Sequence, residues 1–185
     1  MFRGQPMRLL GLPLKVGDRA RNVRVIANNL LPVLPLARSR LKSRLFLTVA
    51  SLDVPVCSAT IQKFSQHLNS LGQELTDFVA VFLISADLPF AQIRWQTSKD
   101  VANITMLSDY RDLDFARNWR LLVQELSLLA HAVYVIERTD TVTYREVVSE
   151  LLNQIIRLQL QRCKQSLKQG CCYVENVEVL VYYLD

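Results

Sequence analysis

Two apolar stretches separated by one helical pattern constrain the fold of this chain more than any other feature. The first, LFLTVA at residues 45–50, and the second, FVAVFLISA at residues 78–86, are continuous runs of aliphatic, β-branched and aromatic residues. Such runs are typical of strands that are covered on both faces. The segment between them has apolar residues near helical spacing, with Pro55 suited to a first turn and Gly72 to a helix end. The sequence therefore predicts a β-α-β unit with two parallel strands.

Further strands and helices are predicted on both sides of this unit. LPFAQIRW at residues 88–95 and DLDFARNWRLLV at residues 112–123 have the pattern of short helices. AVYVIE at residues 132–137 and VTYREVV at residues 142–148 indicate a hairpin. The N-terminal third has the glycine, proline and asparagine residues that are typical of loops and short hairpins. The prediction is an α/β fold, with a mixed central sheet flanked by helices and a β-hairpin near the N-terminus.

Composition and charge exclude several classes of protein. A chain of 185 residues suits one domain with a sizeable core, and its 50% hydrophobic content argues against disorder. No apolar run approaches the roughly 20 residues of a membrane span, and residues 1–11 lack the apolar block of a signal peptide. The formal charge of +5 is spread along the chain, and its densest basic group, at residues 37–44, falls in a predicted loop. We therefore expect a cytoplasmic protein without a membrane or nucleic-acid partner.

Cysteine usage singles out one residue in the body of the chain. All the other cysteines follow residue 162: Cys163, Cys171 and Cys172. These spacings, with only two histidines in the chain, match no zinc site, and we expect no metal or other cofactor. Cys57 lies in the first turn of the predicted helix, where backbone N–H groups and the helix dipole favour a thiolate. The position predicts a thiol pKa below that of a free cysteine, with a buried structural cysteine as the alternative.

Six segments, in order and with matching spacing, resemble the signature segments of the bacterial thiol peroxidases: FRGQP, LKVGD, SLDVPVC, SADLPFAQIRW, LSDYRDLDF and LLAHAVYVIE. These enzymes are atypical two-cysteine peroxiredoxins. The resemblance runs from Phe2 to about Ser149 and implies a thioredoxin-like peroxiredoxin domain over residues 1–149, usually a homodimer. Residues 150–185 depart from the family and are expected to form a divergent C-terminal helix and tail packed on the same domain.

The resemblance also implies a reaction. Cys57 matches the attacking cysteine of the family's Pro-x-x-x-Thr/Ser-x-x-Cys motif. The resemblance therefore implies that Cys57 attacks a hydroperoxide and becomes a sulfenic acid, which a thioredoxin-type reductant or another thiol then reduces.

The residues that support this cysteine in the family are replaced here. The proline position holds Ala50, the Thr/Ser position holds Val54, the arginine position holds His131, and the resolving-cysteine position holds Gln96. Val54 lacks the hydroxyl that would bind the thiolate, and His131 supplies no permanent, forked cation. We therefore expect a weakened thiol peroxidase with one-cysteine behaviour, and the four replacements leave turnover itself open. The alternatives are a catalytically impaired interaction or structural module, and a redox-sensing cysteine protein without peroxide specificity.

Overall fold

The structure, a computed structural model, describes residues 5–70 and 77–148. Its strands are β1 (Val25–Ala27), β2 (Pro32–Val33), β3 (Ser43–Thr48), β4 (Val79–Ser85), β5 (Thr105–Ser108), β6 (Leu122–Val123), β7 (Leu128–Leu129), β8 (Ala132–Ile136) and β9 (Val142–Val147). Its helices are α1 (Pro35–Arg38), α2 (Pro55–Ser70), α3 (Pro89–Lys99) and α4 (Asp114–Asn118). None of the helices in these two ranges is long and apolar enough to cross a membrane. The predicted tail at residues 150–185, with its three cysteines, lies outside the described residues.

One mixed sheet organises the fold, with the strand order β2-β1-β5-β4-β3-β8-β9. Strand β3 pairs in parallel with β4, and β4 pairs in parallel with β5. The outer pairs on both sides are antiparallel. Because α2 connects the parallel strands β3 and β4, the predicted β-α-β unit is confirmed. All six residues of β3 are buried, as expected for a strand that is covered on both faces.

The two faces of the sheet carry separate apolar cores, because side chains alternate along each strand. On one face, aromatic rings pack together around Phe46, whose ring centroid lies 5.0 Å from that of Trp119. On the other face, Leu45 and Leu47 of β3 pack with residues of α2 and with Trp95 of α3. Helices α2 and α3 therefore share one side of the sheet, and the start of α2 lies at the sheet's carboxyl edge.

The structure confirms both predicted hairpins and corrects one predicted helix. Strands β1 and β2 form the N-terminal hairpin, and β8 and β9 form the later one. The helix predicted over residues 112–123 is wrong in its second half, since α4 ends at Asn118 and residues 122–123 form β6, paired with β7. A helix on a surface buries one stripe of side chains, whereas residues 121–123 are all buried. Consecutive burial is instead typical of a strand that is covered on both faces.

Candidate active site

Cys57 lies where the sequence predicted, in the first turn of α2. The helix begins at Pro55, so that Cys57 is its third residue. The side chain is 0% exposed and packs in the core between the sheet and α2. Val54 immediately precedes the helix, and its carbonyl accepts a hydrogen bond of 2.9 Å from the Ser58 amide. The strand-to-helix junction thus places a buried thiol beside the first backbone N–H groups of a helix.

The electrostatics of Cys57 differ from the prediction. Burial raises the pKa of the Cys57 thiol, because a thiolate is poorly solvated in the core. Backbone hydrogen bonds from Ala50 and Ser51 act in the opposite direction, and the negative charge of Asp87 raises the pKa further. The predicted lowering of the pKa is therefore wrong, since desolvation outweighs the local effect of the helix start.

The loop between β3 and α2 is held by Asp87, which is not among the residues predicted for the site. Asp87 Oδ1 accepts a hydrogen bond of 2.6 Å from the Ser51 hydroxyl. Its Oδ2 accepts one of 2.8 Å from the Leu52 amide. Its position could have indicated this role, because Asp87 follows the buried strand β4 by two residues. The carboxyl ends of the parallel strands β3 and β4 meet at one edge of the sheet, so Asp87 lies near the loop after β3.

Ala50 and Val54 lie in the same short segment as Cys57. Ala50 is buried and packs in the core on the opposite face of the sheet. Val54 is half-buried and packs against the core that contains Cys57. Val54 occupies the position before the first helical residue, where a side-chain oxygen would bind the amide of the second or third helical residue. Valine supplies no such oxygen, and the third helical residue is Cys57.

His131 lies at the start of β8, beside the end of β3. Ala132 pairs with Thr48, and alternation along the strand puts His131 on the same face as Val133, which packs on the α2 side of the sheet. His131 is 3% exposed, and among the described residues its Nδ1 atom has no hydrogen-bond partner. Burial lowers the pKa of His131 to about 4. The ring is therefore neutral near pH 7, where the family's arginine would carry a permanent charge.

The buried ring of His131 makes folding stability depend on pH. The folded-state pKa of about 4 lies below the ordinary value of 6.5, so the unfolded chain binds the proton more readily. This contribution to the free energy of unfolding is complete above pH 6.5 and is lost as pH falls toward 4, by about 3 kcal/mol. We expect His131→Leu to remove this dependence, measured by urea denaturation at several pH values. Burial raises the pKa of Asp109 to about 6, so the contribution of Asp109 to the free energy of unfolding increases as pH falls. Because this opposes the contribution of His131, the pH dependence due to His131 should be clearest in the Asp109→Asn variant.

Gln96 does not face the start of α2. Its side-chain NH₂ donates to the carbonyl oxygens of Val101 and Ile104, at 2.7 and 3.0 Å. Its Oε1 accepts a hydrogen bond from Asn28. The neighbouring residue Trp95 reaches α2 instead. The side chain at the position of the resolving cysteine thus connects the end of α3 to the loop that precedes β5 and to the β1–β2 turn.

Trp95 connects α3 to the first turns of α2. Its indole N–H donates a hydrogen bond of 2.8 Å to the hydroxyl of Ser58, the residue that follows Cys57. Trp95 is itself buried in the core that contains Cys57. Trp95 belongs to one of the six family-like segments, but nothing in that segment indicates a contact with the helix that carries Cys57.

Comparisons with known proteins agree with this architecture. The Redoxin family model matches residues 15–155. A thiol peroxidase of Halalkalibacterium halodurans is 46% identical over 152 residues, which are 82% of this chain and 88% of that protein. A thiol peroxidase of Bacillus subtilis is 38% identical over 82% of this chain and 87% of its own length.

Solved structures give the same result for the fold. A peroxiredoxin-like protein from Aquifex aeolicus, 31% identical, superposes with a TM-score of 0.77 over 89% of this chain and 95% of its own. A thiol peroxidase from Chromobacterium violaceum has the same TM-score at 17% identity, over 92% of this chain and 97% of its own. The thioredoxin-like fold implied by the sequence is therefore confirmed.

Proposed function

We propose that Cys57 is the residue that attacks the peroxide, because the chain belongs to the bacterial thiol peroxidases, a family of peroxiredoxins. The Cys57 thiolate would attack the terminal oxygen of a hydroperoxide, forming an S–O bond as the O–O bond breaks. The leaving oxygen takes a proton and departs as water or an alcohol, and Cys57 becomes a sulfenic acid. One external thiol converts this acid to a mixed disulfide with release of water, and a second thiol restores Cys57.

One observation carries this proposal: the completely buried Cys57 thiol lies in the first turn of α2, beside the first backbone N–H groups of the helix. Fixed donors of this kind favour a thiolate in a site from which water is excluded. The thiol peroxidase names of the relatives support an enzyme rather than a non-catalytic module.

Cys57 is expected to react slowly with hydroperoxides. Burial keeps most of Cys57 protonated near pH 7, because it raises the pKa of the thiol. Val54 provides no hydroxyl to bind the thiolate, and His131 provides a neutral ring in place of a cation. Each missing donor typically costs on the order of a hundredfold in rate. The enzyme is thus expected to react with peroxide more slowly than a member of the family with the complete motif.

The direct test is the oxidation of Cys57 by one equivalent of hydroperoxide. We expect the protein to gain one oxygen atom, located at Cys57 by peptide mass spectrometry, and to react there with a reagent specific for sulfenic acids. In the presence of a thioredoxin-type reductant, peroxide should then be consumed catalytically. An unmodified Cys57 after prolonged exposure would contradict the proposed function.

We predict one-cysteine behaviour, because Gln96 stands where the resolving thiol would be. After one equivalent of peroxide, non-reducing peptide mapping should show Cys57 as a sulfenic acid or joined to an added small thiol. Excess peroxide should convert it to sulfinic acid. An intrachain disulfide from Cys57 to Cys163, Cys171 or Cys172 would contradict this prediction and indicate a two-cysteine cycle.

The reductant is a thiol, and we propose one of the thioredoxin type. Because Cys57 is completely buried, its sulfenic acid can meet a protein thiol only after the first turn of α2 opens. Chemistry that depends on a pool of reduced thiols also supports the cytoplasm as the compartment, where thiols are kept reduced.

We further propose a homodimer that covers an apolar patch on α3. Phe90 and Ile93, one turn apart on this helix, are 63% and 40% exposed, and Leu31 in the β1–β2 turn is 61% exposed. A hydrogen bond of 3.3 Å from Asn28 to Gln96 joins that turn to the helix. Exposed apolar residues on elements that are joined in this way are the natural choice for an interaction surface. The α3 patch, defined by Phe90, Ile93 and Leu31, is therefore the proposed subunit interface.

A charge placed in the α3 patch should weaken this dimer. We expect the wild-type protein to sediment as a dimer and Phe90→Glu to sediment largely as a monomer at the same concentration. Leu41→Glu is the matched control, since Leu41 is 86% exposed but lies before β3, outside the patch. A monomeric wild type, or equal effects of the two substitutions, would contradict the proposed interface.

A further inference from the structure

Asp87 is anchored to two strands and reaches the loop that follows a third. Its carbonyl oxygen accepts a hydrogen bond of 2.5 Å from Ser108 at the end of β5. Its amide donates to the Ser85 hydroxyl at the end of β4, at 3.4 Å. From this position both carboxylate oxygens bind the loop after β3, through the Ser51 hydroxyl and the Leu52 amide. Asp87 thus connects three strand ends at the edge of the sheet where α2 begins.

The loop held by Asp87 leads directly into the first turn of α2, which carries Cys57. The backbone N–H groups of Ala50 and Ser51 act to lower the pKa of the Cys57 thiol. Ser51 is fixed through its side chain, which donates to Asp87 and also accepts a hydrogen bond of 3.1 Å from the Asp53 amide. Its carbonyl oxygen accepts a further hydrogen bond, of 3.3 Å, from the amide of Val54. Few conformations of residues 50–54 satisfy all of these contacts together.

We propose that Asp87 is a positioning residue, which holds the Ser51–Leu52 peptide and thereby fixes the start of α2 and the orientation of Cys57. The inference rests on the proposed role of Cys57 in attacking the peroxide. A thiolate held by fixed donors keeps one orientation toward the O–O bond, and the site needs no rearrangement during the reaction. A carboxylate suits this task because it accepts two hydrogen bonds at once, one from a hydroxyl and one from an amide.

The negative charge of Asp87 disfavours ionisation of Cys57, whereas its hydrogen bonds to the loop favour reaction of the thiolate. These two effects can be measured separately. Removing the charge favours ionisation of Cys57, whereas releasing the loop frees the start of α2 and with it the orientation of the thiolate. At neutral pH the two changes oppose each other. At a pH where Cys57 is fully ionised, only the effect on the thiolate's reactivity with peroxide remains.

The test compares Asp87→Ala and Ser51→Ala with Ser65→Ala as the matched control. Ser65 is a buried residue of α2 whose hydroxyl donates to Asn103 at 2.7 Å, much as Ser51 donates to Asp87. It lies eight residues from Cys57, about 12 Å along the helix axis. All variants carry serine at the three cysteines beyond residue 162, so that the thiolate absorbance reports Cys57 alone.

We expect the rate constant for oxidation of ionised Cys57 by hydrogen peroxide to fall about tenfold or more in Asp87→Ala. The rate constant should fall less in Ser51→Ala, which breaks only one of the two contacts. In Ser65→Ala the rate constant should stay within about twofold of the parent value. Because Ser51 acts through Asp87, the double variant should be no slower than Asp87→Ala. Hydrogen exchange of the Ala50 and Ser51 amides should accelerate in Asp87→Ala and not in Ser65→Ala.

The outcomes separate this inference from the proposed function. Normal oxidation of the parent, with Asp87→Ala no slower than Ser65→Ala, would overturn the positioning role alone. The positioning role would also be overturned if the rate constant of the Asp87→Ala, Ser51→Ala double variant fell by the product of the two single effects, since the two residues would then act independently. A parent protein whose Cys57 is not oxidised would overturn the proposed function, and the positioning role with it.

Discussion

Replacement of Cys57 by serine is expected to reduce peroxide consumption by a thousandfold or more, on the order of what loss of a catalytic nucleophile costs elsewhere. A serine hydroxyl does not ionise near pH 7 and cannot form the S–O bond on which the cycle depends. The measurement is the loss of hydrogen peroxide with an excess of a small thiol or a thioredoxin-type reductant, under conditions where the wild type turns over.

Two controls keep this result interpretable. Serine places a hydroxyl in a completely buried position, at a cost of about 1 to 3 kcal/mol, so the Cys57→Ala variant and thermal unfolding curves of both variants are needed. The variant with serine at Cys163, Cys171 and Cys172 should keep its activity. If peroxide consumption persists in Cys57→Ala and is lost in the triple variant, the C-terminal cysteines and not Cys57 carry out the reaction.

Restoration of the two missing donors should have the second largest effect. The variant Val54→Thr with His131→Arg is expected to oxidise at Cys57 at least on the order of a hundredfold faster than the wild type near pH 7. Threonine supplies a hydroxyl for the thiolate, and arginine supplies a cation that is charged at every relevant pH. Because both groups act on one transition state, the double variant should exceed the product of the single effects.

Each substitution also has a predicted effect on stability. Val54→Thr places a capping hydroxyl before the first residue of α2, which should raise the free energy of unfolding by about 1 kcal/mol. His131→Arg buries a cation, so it should destabilise the protein unless the Cys57 thiolate is its partner. The experiment is rapid chemical quench with mass detection of oxidised Cys57, in the wild type and the three variants. His131→Lys serves as the control, since it carries the charge without the planar fork.

Equal oxidation rates in all of these proteins would show that the pocket around Cys57 does not orient a peroxide. A rate increase in His131→Lys as large as in His131→Arg would show instead that charge alone is limiting.

The central elements could be predicted from sequence because their signals are local. The apolar runs at residues 45–50 and 78–86 lie within one or two residues of β3 and β4 as observed. The helix between them begins at the predicted proline. Strands of two to four residues, such as β5, β6 and β7, are too short to show a period. Their pairing depends on partners that are distant in the chain.

The pKa of Cys57 could not be predicted, since it depends on what covers the helix start. The sequence shows the helix dipole and the first-turn N–H groups, which are local and favour the thiolate. It does not show that Cys57 is completely buried, because the covering side chains come from several distant segments. The role of Asp87 was missed for the same reason. Asp87 and Ser51 are 36 residues apart, and only the parallel pairing of β3 and β4 brings them together.

The placement of the two tryptophans gives the protein a built-in optical signal. Trp95 is hydrogen-bonded to the neighbour of Cys57, so any opening of the first turn of α2 changes the polarity around its indole and hence its fluorescence emission. Trp119 lies in the aromatic core on the other face of the sheet, stacked on Phe115 at 4.4 Å, where the same opening leaves its surroundings unchanged. A Trp119→Phe variant would isolate the Trp95 signal, so that each step at the sulfur could be followed in real time without an added dye.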